Sequence, residues 1–188
     1  IVTLKRSLLM TDLKDIKGFV FDIDGVMTDG GIFAALDGEL YRTFDAKDGF
    51  AVRMACLQGY AVGVITGGRS LSITNRFRTN GIEPEDVYLG SRIKIIDFDD
   101  FCRRHSLRRE EVMYFGDDVP DVEVIRAAGI GVCPSDAAIE CKEAADIVSD
   151  RPGGKALVRK HIEEVMRLQG TWTFDSHAYA AKYKATKE

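Results

Sequence analysis

Apolar residues in this chain gather into short unbroken runs, and the stretches between them repeat with a helical period. Residues 18–22 (GFVFD), 60–66 (YAVGVIT), 112–117 (VMYFGD) and 129–132 are the runs. Runs of this length, apolar at successive positions and bounded by glycine or acid, predict strands buried on both faces. In 50–57, Val52 and Cys56 share one face, and in 93–104 Ile93, Ile96, Phe98 and Phe101 lie near one stripe. A further helix is expected over 120–128, where Pro120 suits a first helical turn. Strand alternating with helix predicts an α/β fold: a three-layer, Rossmann-like parallel sheet with helices on both faces.

One segment breaks that rhythm. Residues 31–44 place Asp37-Gly38 between two short apolar-rich runs. Asp-Gly is a strong signal for a two-residue type I′ turn, which needs positive φ at both central residues. A β-hairpin is therefore expected to leave the sheet just after the first strand. The chain reads as a single domain over 1–188, with a core at about 12–169 and a tail at 170–188. That tail is small and polar, interspersed with Trp172, Phe174, Tyr179 and Tyr183. It is expected to be loosely ordered or to dock on a neighbour. The opening IVTLKRSLLM shows no clear signal-peptide core, and Met10 fits a chain start.

Composition narrows the classes. Hydrophobic residues are 45% and charged residues 30% of 188, an ordinary globular balance long enough to bury a core without disulfides. The cysteines Cys56, Cys102, Cys133 and Cys141 form no Cys-x-x-Cys pair and have no histidine at zinc spacing, so reduced thiols in a cytoplasmic protein are expected. A net charge of −4 argues against nucleic acid as a partner. No apolar run approaches the ~18 residues of a membrane span.

In a parallel α/β sheet, sites form at the carboxyl ends of the strands. Asp22 with Asp24, Thr66, and Asp117 with Asp118 follow three separate strands. One acid in a turn is ordinarily a solvated or capping residue, but that reading fits poorly for all of these together, because each follows a hydrophobic strand. The set suits phosphoryl transfer. A carboxylate can attack phosphorus and form an aspartyl-phosphate. Two like charges at 4 Å repel by about 4 kcal/mol at an effective dielectric of 20, which magnesium can offset through hard oxygen ligands. Asp22, the backbone carbonyl of Asp24 and Asp117 could supply those ligands. Lys94 could add positive charge, Thr66 could donate to phosphate oxygens, and Asp24 could serve as general acid and base.

At this point the residues resemble the haloacid dehalogenase superfamily. Its first motif stands as Asp22, Asp24, Gly25, Thr28 and Asp29, its second as Thr66, its third as Lys94, and its fourth as Gly116, Asp117, Asp118 and Asp121. The gaps between motifs leave no room for a cap domain, so the resemblance is to the capless branch, whose subunits cover each other's sites. Within that branch the chain resembles the family acting on 3-deoxy-D-manno-octulosonate 8-phosphate. That implies a magnesium-dependent phosphatase of lipopolysaccharide precursor synthesis, a small-molecule sugar-acid phosphate as substrate, and a homotetramer with the hairpins at its centre. Apolar Ile32, Phe33, Leu36 and Leu40 agree with an interface role for the hairpin.

The resemblance also implies a substrate loop at Asp45, Ala46, Lys47, Asp48 and Gly49, with Lys47 where arginine is usual, and substrate-binding arginines at Arg53 and Arg76. Asp24 and Lys94 join that set. Asp118 would orient metal-bound water and Asp121 would hold Lys94. A late Gly-Gly-x-Gly-Ala-Val-Arg-Glu pattern appears at 153–160, but with Ala156 and Lys160 in place of glycine and acid, and the threonine loop reads TGGRS where TGRxS is usual, moving Arg69 by one position. Plainer readings stand beside these. Arg53 and Arg76 could be solvated, Asp48 could cap the next helix, and Gly153-Gly154 could be a helix entrance able to hold an anion. His105, His161 and His177 are assigned no chemistry. Three other functions stay open: a nine-carbon 2-keto-3-deoxy sugar acid 9-phosphate as substrate, a broad metabolite phosphatase, and a non-catalytic oligomerisation module.

Overall fold

Each apolar run is a strand in the computed structural model, which describes residues 3–4 and 13–183. The elements are β1 (Thr3–Leu4), β2 (Gly18–Phe21), β3 (Phe33–Ala34), β4 (Leu40–Tyr41), α1 (Ala46–Leu57), β5 (Ala61–Thr66), α2 (Leu71–Arg78), β6 (Val87–Leu89), α3 (Lys94–Arg104), β7 (Val112–Phe115), α4 (Val122–Ala127), β8 (Ile130–Cys133), α5 (Ile139–Ala144), β9 (Ile147–Val148), α6 (Leu157–Leu168) and α7 (Ser176–Tyr183). Met10 and Thr11–Asp12, at the expected edge of the core, lie outside the described residues.

The main sheet has the order β1-β9-β8-β7-β2-β5-β6. All neighbours in it are parallel except the edge pair β1–β9. From β2 the chain moves outward to β5 and β6, then crosses back to β7 and continues through β8 and β9. The order therefore reverses between β2 and β7, and a crevice opens at the carboxyl ends of these strands. Alternate side chains of β2 feed opposite faces. Phe19 and Phe21 join Ala51, Met54, Phe77, Leu157 and Ile162 from α1, α2 and α6. Val20 joins Phe98, Phe101, Val124 and Cys141 from α3, α4 and α5. Two apolar layers thus clamp the central strands, which is why their sequences are continuous apolar runs. Between β2 and β5 lie only the hairpin and α1, and between β5 and α3 only α2, a short 3₁₀ turn and β6, so neither gap holds a cap domain.

Several elements differ from expectation. The hairpin forms, with Ala34 opposite Leu40, but not through a type I′ turn. Gly38 has φ +87°, whereas Asp37 is not in the left-handed region. Ala35 N donates to Glu39 O and Gly38 N to Ala35 O, so the loop has three residues and ends in a glycine bulge, the next commonest hairpin closure. Helix α1 begins at Ala46, because Asp45 caps it by accepting from Lys47 N at 2.7 Å. The 120–128 stretch divides into a 3₁₀ turn carrying Pro120 and the shorter α4. The tail is not loose over 171–183. Trp172 and Tyr179 pack on the core. Arg53 Nη1 donates to Tyr179 Oη at 3.1 Å, and Tyr183 Oη donates to Arg53 O at 2.8 Å. The tail thus docks on α1 of its own chain.

Candidate active site

Asp22 follows β2 directly, its amide tied to Phe115 O of β7 at 3.0 Å. The loop after it turns back through Gly25, at φ +87°. A Cβ on Gly25 would lie 2.0 Å from Asp117 Oδ2, so glycine there is what lets the two acidic loops meet. Buried Thr28 staples the loop: its Oγ1 accepts from Gly30 N and donates to Ile23 O.

Lys94, in the first turn of α3, reaches across to both acids. Its Nζ lies 3.0 Å from Asp22 Oδ2 and 2.7 Å from Asp121 Oδ1. Asp121 is saturated, since Tyr114 Oη also donates to its Oδ1 and the amides of Asp117 and Asp118 donate to its Oδ2. Burial disfavours the ammonium, yet Asp22 and Asp121 outweigh it and hold the Lys94 pKa above the usual lysine value.

Asp22 and Asp117 differ from Asp121. Asp22 Oδ1 and Asp117 Oδ1 are buried without a hydrogen-bond partner among the described residues. Burial and then the Asp121 carboxylate push Asp22 up to about 7, and burial and then Asp22 push Asp117 up to about 7. One oxygen from each of Asp22, Asp117 and Asp121 lies within 4.8 Å of the others. Two carboxylates of one cluster, each with an orphaned oxygen and with mutual repulsion to offset, fit a hard divalent cation. Asp121 belongs to Lys94 by its bonding, which leaves Asp22 and Asp117 as the cation-facing pair.

These groups line a cleft of about 430 Å³ with Asp24, Thr66, Gly67, Gly68, Ser91, Arg92 and Asp118. Thr66 ends β5, and its Oγ1 accepts from Gly68 N at 3.1 Å, leaving its own proton for a ligand. Asp118 caps the turn before α4 through Val119 N. The sequence reading missed Ser91, which lines the cleft, and Arg42, which bonds a residue that lines it. Ser91 Oγ is buried and unpartnered among the described residues, and its only signal is its place three residues before Lys94. Arg42, at the foot of the hairpin, donates from Nε and Nη2 to both oxygens of Asp24 at 2.6 and 2.9 Å.

Of the residues expected to bind the sugar, Asp24 and Lys94 line this cleft, and the other seven do not within one copy of the chain. Asp45 caps α1, with Ala46 in its first turn. Lys47 lines a separate basic groove with Arg151, Arg159, Lys160 and Arg167. Asp48 is fully buried and accepts from Arg159 N at 2.7 Å, so it caps α6 rather than α1; burial pushes it up to about 7. Gly49 is buried, and Arg76 Nη2 would stand 2.7 Å from a Cβ there. Arg53 bonds Thr79 O and Tyr179, and Arg76 lies over the Phe44 ring. Gly153 and Gly154 offer no anion site: their amides donate to Asp136 Oδ1 and Val26 O, and a Cβ on Gly153 would stand 1.9 Å from Gly25 O. They are spacers against the Asp22 loop. The histidines have structural partners in two cases, His105 with Asp86 and His161 with Ser149 and Glu164.

Comparisons with known proteins agree with this arrangement. Residues 93–156 match the family model of the haloacid dehalogenase-like hydrolases. The chain is 32% identical over 162 residues to 3-deoxy-D-manno-octulosonate 8-phosphate phosphatase KdsC of Salmonella typhi, covering 86% of this chain and 85% of that one. The 3-deoxy-D-manno-octulosonate 8-phosphate phosphatase of Moraxella catarrhalis, solved with magnesium, phosphate and a KDO molecule, superimposes with a TM-score of 0.82 at 25% identity, covering 93% of this chain and 97% of that one. A cobalt-bound deoxy-D-mannose-octulosonate 8-phosphate phosphatase from Haemophilus influenzae gives 0.82 at 29% identity, with 90% and 99% covered.

Proposed function

The chain belongs to the haloacid dehalogenase-like phosphatases, in the family of the 3-deoxy-D-manno-octulosonate 8-phosphate phosphatases, and we propose that it hydrolyses this eight-carbon sugar-acid phosphate in lipopolysaccharide precursor synthesis. It is a phosphoric monoester hydrolase and its cofactor is magnesium. The observation that carries the reading is the Asp22–Lys94–Asp121 arrangement, with Asp22 and Asp117 of one carboxylate cluster each keeping a buried oxygen without a hydrogen-bond partner among the described residues.

Asp22, Asp117 and the backbone carbonyl of Asp24 would hold the magnesium ion, with Asp118 orienting its water. The ion supplies positive charge that offsets repulsion between carboxylate and phosphate. Asp22 attacks phosphorus, and the bond to the sugar oxygen breaks. Asp24 gives its proton to that oxygen. Asp24 then takes a proton from the water that cleaves the aspartyl-phosphate, releasing phosphate and regenerating Asp22. Lys94 holds Asp22 in line and neutralises incoming phosphate charge. The Thr66 hydroxyl donates to a phosphate oxygen.

Substrate selection is assigned to assembly. The hairpin side chains Phe33 and Leu36 are 69% and 109% exposed, as an intersubunit face would be in a lone chain. A homotetramer would bring the 45–49 loop, Arg53, Arg76 or the basic groove to a neighbouring cleft. No disulfide joins any of the four cysteines, in keeping with a reducing cytoplasm. The test is kcat/KM on 3-deoxy-D-manno-octulosonate 8-phosphate, on a nine-carbon 2-keto-3-deoxy 9-phosphate and on simple sugar phosphates, with native mass measured alongside. The eight-carbon substrate should lead by at least tenfold. Faster turnover of the nine-carbon acid would reassign the substrate, because residues 68, 156 and 160 depart from the family pattern. Equal rates on all would indicate a broad phosphatase.

A further inference from the structure

Arg42 follows β4 of an otherwise exposed hairpin, yet its side chain is only 3% exposed. It turns back to the cleft and grips Asp24 with two parallel bonds, Nε to Oδ1 at 2.6 Å and Nη2 to Oδ2 at 2.9 Å. Its remaining nitrogen, Nη1, donates to Leu40 O at 3.0 Å, which fixes the guanidinium plane against its own strand. The path of this side chain depends on a gap. A Cβ on Gly68 would lie 3.2 Å from Arg42 Nη2 and 3.0 Å from Ile73 Cδ1, so any side chain there crowds the guanidinium. A second tie joins hairpin and threonine loop nearby, from Ser70 Oγ to Glu39 Oε2 at 2.9 Å.

We propose that Arg42 is a positioning residue that acts on the reaction through Asp24, and that Gly68 is the vacancy that admits it. The inference rests on the reading of Asp24 as general acid and base. Arg42 transfers no proton. It holds the carboxyl group in one orientation, and its attraction grows as Asp24 becomes a carboxylate by giving its proton to the leaving oxygen. An interaction that strengthens along the reaction accelerates it, and a forked Arg–carboxylate pair supplies both direction and charge. The gain is greatest where the leaving group is a poor one. An alkoxide, as from a sugar phosphate, needs the proton; an aryloxide does not.

That difference separates positioning from simple hairpin anchoring. The experiment measures kcat/KM, which reports steps up to breakage of the ester bond, on 3-deoxy-D-manno-octulosonate 8-phosphate and on para-nitrophenyl phosphate. The proteins are wild type, Arg42→Gln, Gly68→Ala, Asp24→Asn and the Asp24→Asn/Arg42→Gln double variant. Asp24→Asn should lose about 10²–10⁴-fold on the sugar phosphate, the range of a general acid. Arg42→Gln should lose roughly 10–100-fold on the sugar phosphate but less than about threefold on the aryl ester. Gly68→Ala should shift both values in the same direction by a smaller factor, with Arg42 still in place should the first variant disturb the hairpin. In the Asp24→Asn background, Arg42→Gln should cost nothing further. Equal losses on both esters, or a full additional loss in the double variant, would overturn the inference. If Asp24→Asn itself leaves sugar-phosphate turnover intact, the proposed function fails; if it abolishes turnover while Arg42→Gln does not, only the role of Arg42 fails.

Discussion

Lys94 and Asp121 are joined at 2.7 Å, and Asp121 is fully buried beneath the cleft. The pair fixes the ammonium where it can also meet Asp22. Three further donors, Tyr114 Oη and two backbone amides, settle on the same carboxylate. Asp121 is thus the anchor of the cleft, while Asp22 and Asp117 keep free oxygens for a cation.

Removing one partner of a buried pair leaves the other charge uncompensated. Asp121→Asn is expected to lower unfolding free energy by about 3–5 kcal/mol, measured by urea denaturation. It should also cut kcat, since Lys94 is released from its place beside Asp22. A variant with wild-type stability and turnover would show that the pair anchors nothing.

Burial holds Asp22 and Asp117 up to about 7 without a cation. Both must lose their protons to bind magnesium, so affinity should weaken by roughly 10–100-fold between pH 8 and pH 6. The stability effect has the opposite direction. A carboxyl whose folded pKa is raised above its ordinary 3.8 binds protons in the native state that the unfolded chain has released. Its stabilising contribution is complete below about pH 4 and lost as pH rises through about 7. The increase in Tm on adding magnesium should therefore be larger at pH 8 than at pH 6. A Tm increase that shrinks with rising pH would contradict this.

Ala156 precedes α6 with φ +58°, in the left-handed region that disfavours a side chain. Ala156→Gly relieves that strain and loses one buried methyl. The net expectation is a gain of about 0.5–1 kcal/mol, read as a Tm rise of a few degrees. A fall in Tm would mean that the methyl group's packing outweighs the strain.

Trp172 holds the tail to the body. The Arg159 guanidinium carbon lies 4.6 Å from its ring centroid and Phe50 meets it edge-on at 6.3 Å. Trp172→Ala should cost about 2 kcal/mol in urea denaturation through lost burial and cation–π contact. An unchanged midpoint would indicate that the tail adds nothing to the folded chain.

The strands β2, β5, β7 and β8 and the acids that follow β2 and β7 were legible in sequence, because a doubly covered strand has an uninterrupted apolar pattern and its end carries the chemistry. The strands β6 and β9, of three and two residues, are too short to give such a pattern. The hairpin was legible from Asp37-Gly38, but its turn type was not, since only Gly38 takes positive φ. Arg42 carries no local mark, and Ser91 only its place three residues before Lys94. Their importance comes from contacts across 18 residues to Asp24 and from burial beside Thr66. Asp48 shows the converse: its position beside a helix start suggested a cap for α1, whereas the helix it caps begins 109 residues further on, at Leu157.

The central claim is that Asp22 carries the phosphoryl group. The direct measurement is hydrolysis of 3-deoxy-D-manno-octulosonate 8-phosphate with magnesium by wild type and Asp22→Asn, with acid-quenched enzyme examined by peptide mass for phosphorylated Asp22. Wild type should turn over and show the adduct on the peptide containing Asp22, and Asp22→Asn should lose more than about 10³-fold in kcat and show none. Turnover by Asp22→Asn at the wild-type rate, or a phosphoryl group found on another residue, would contradict the account.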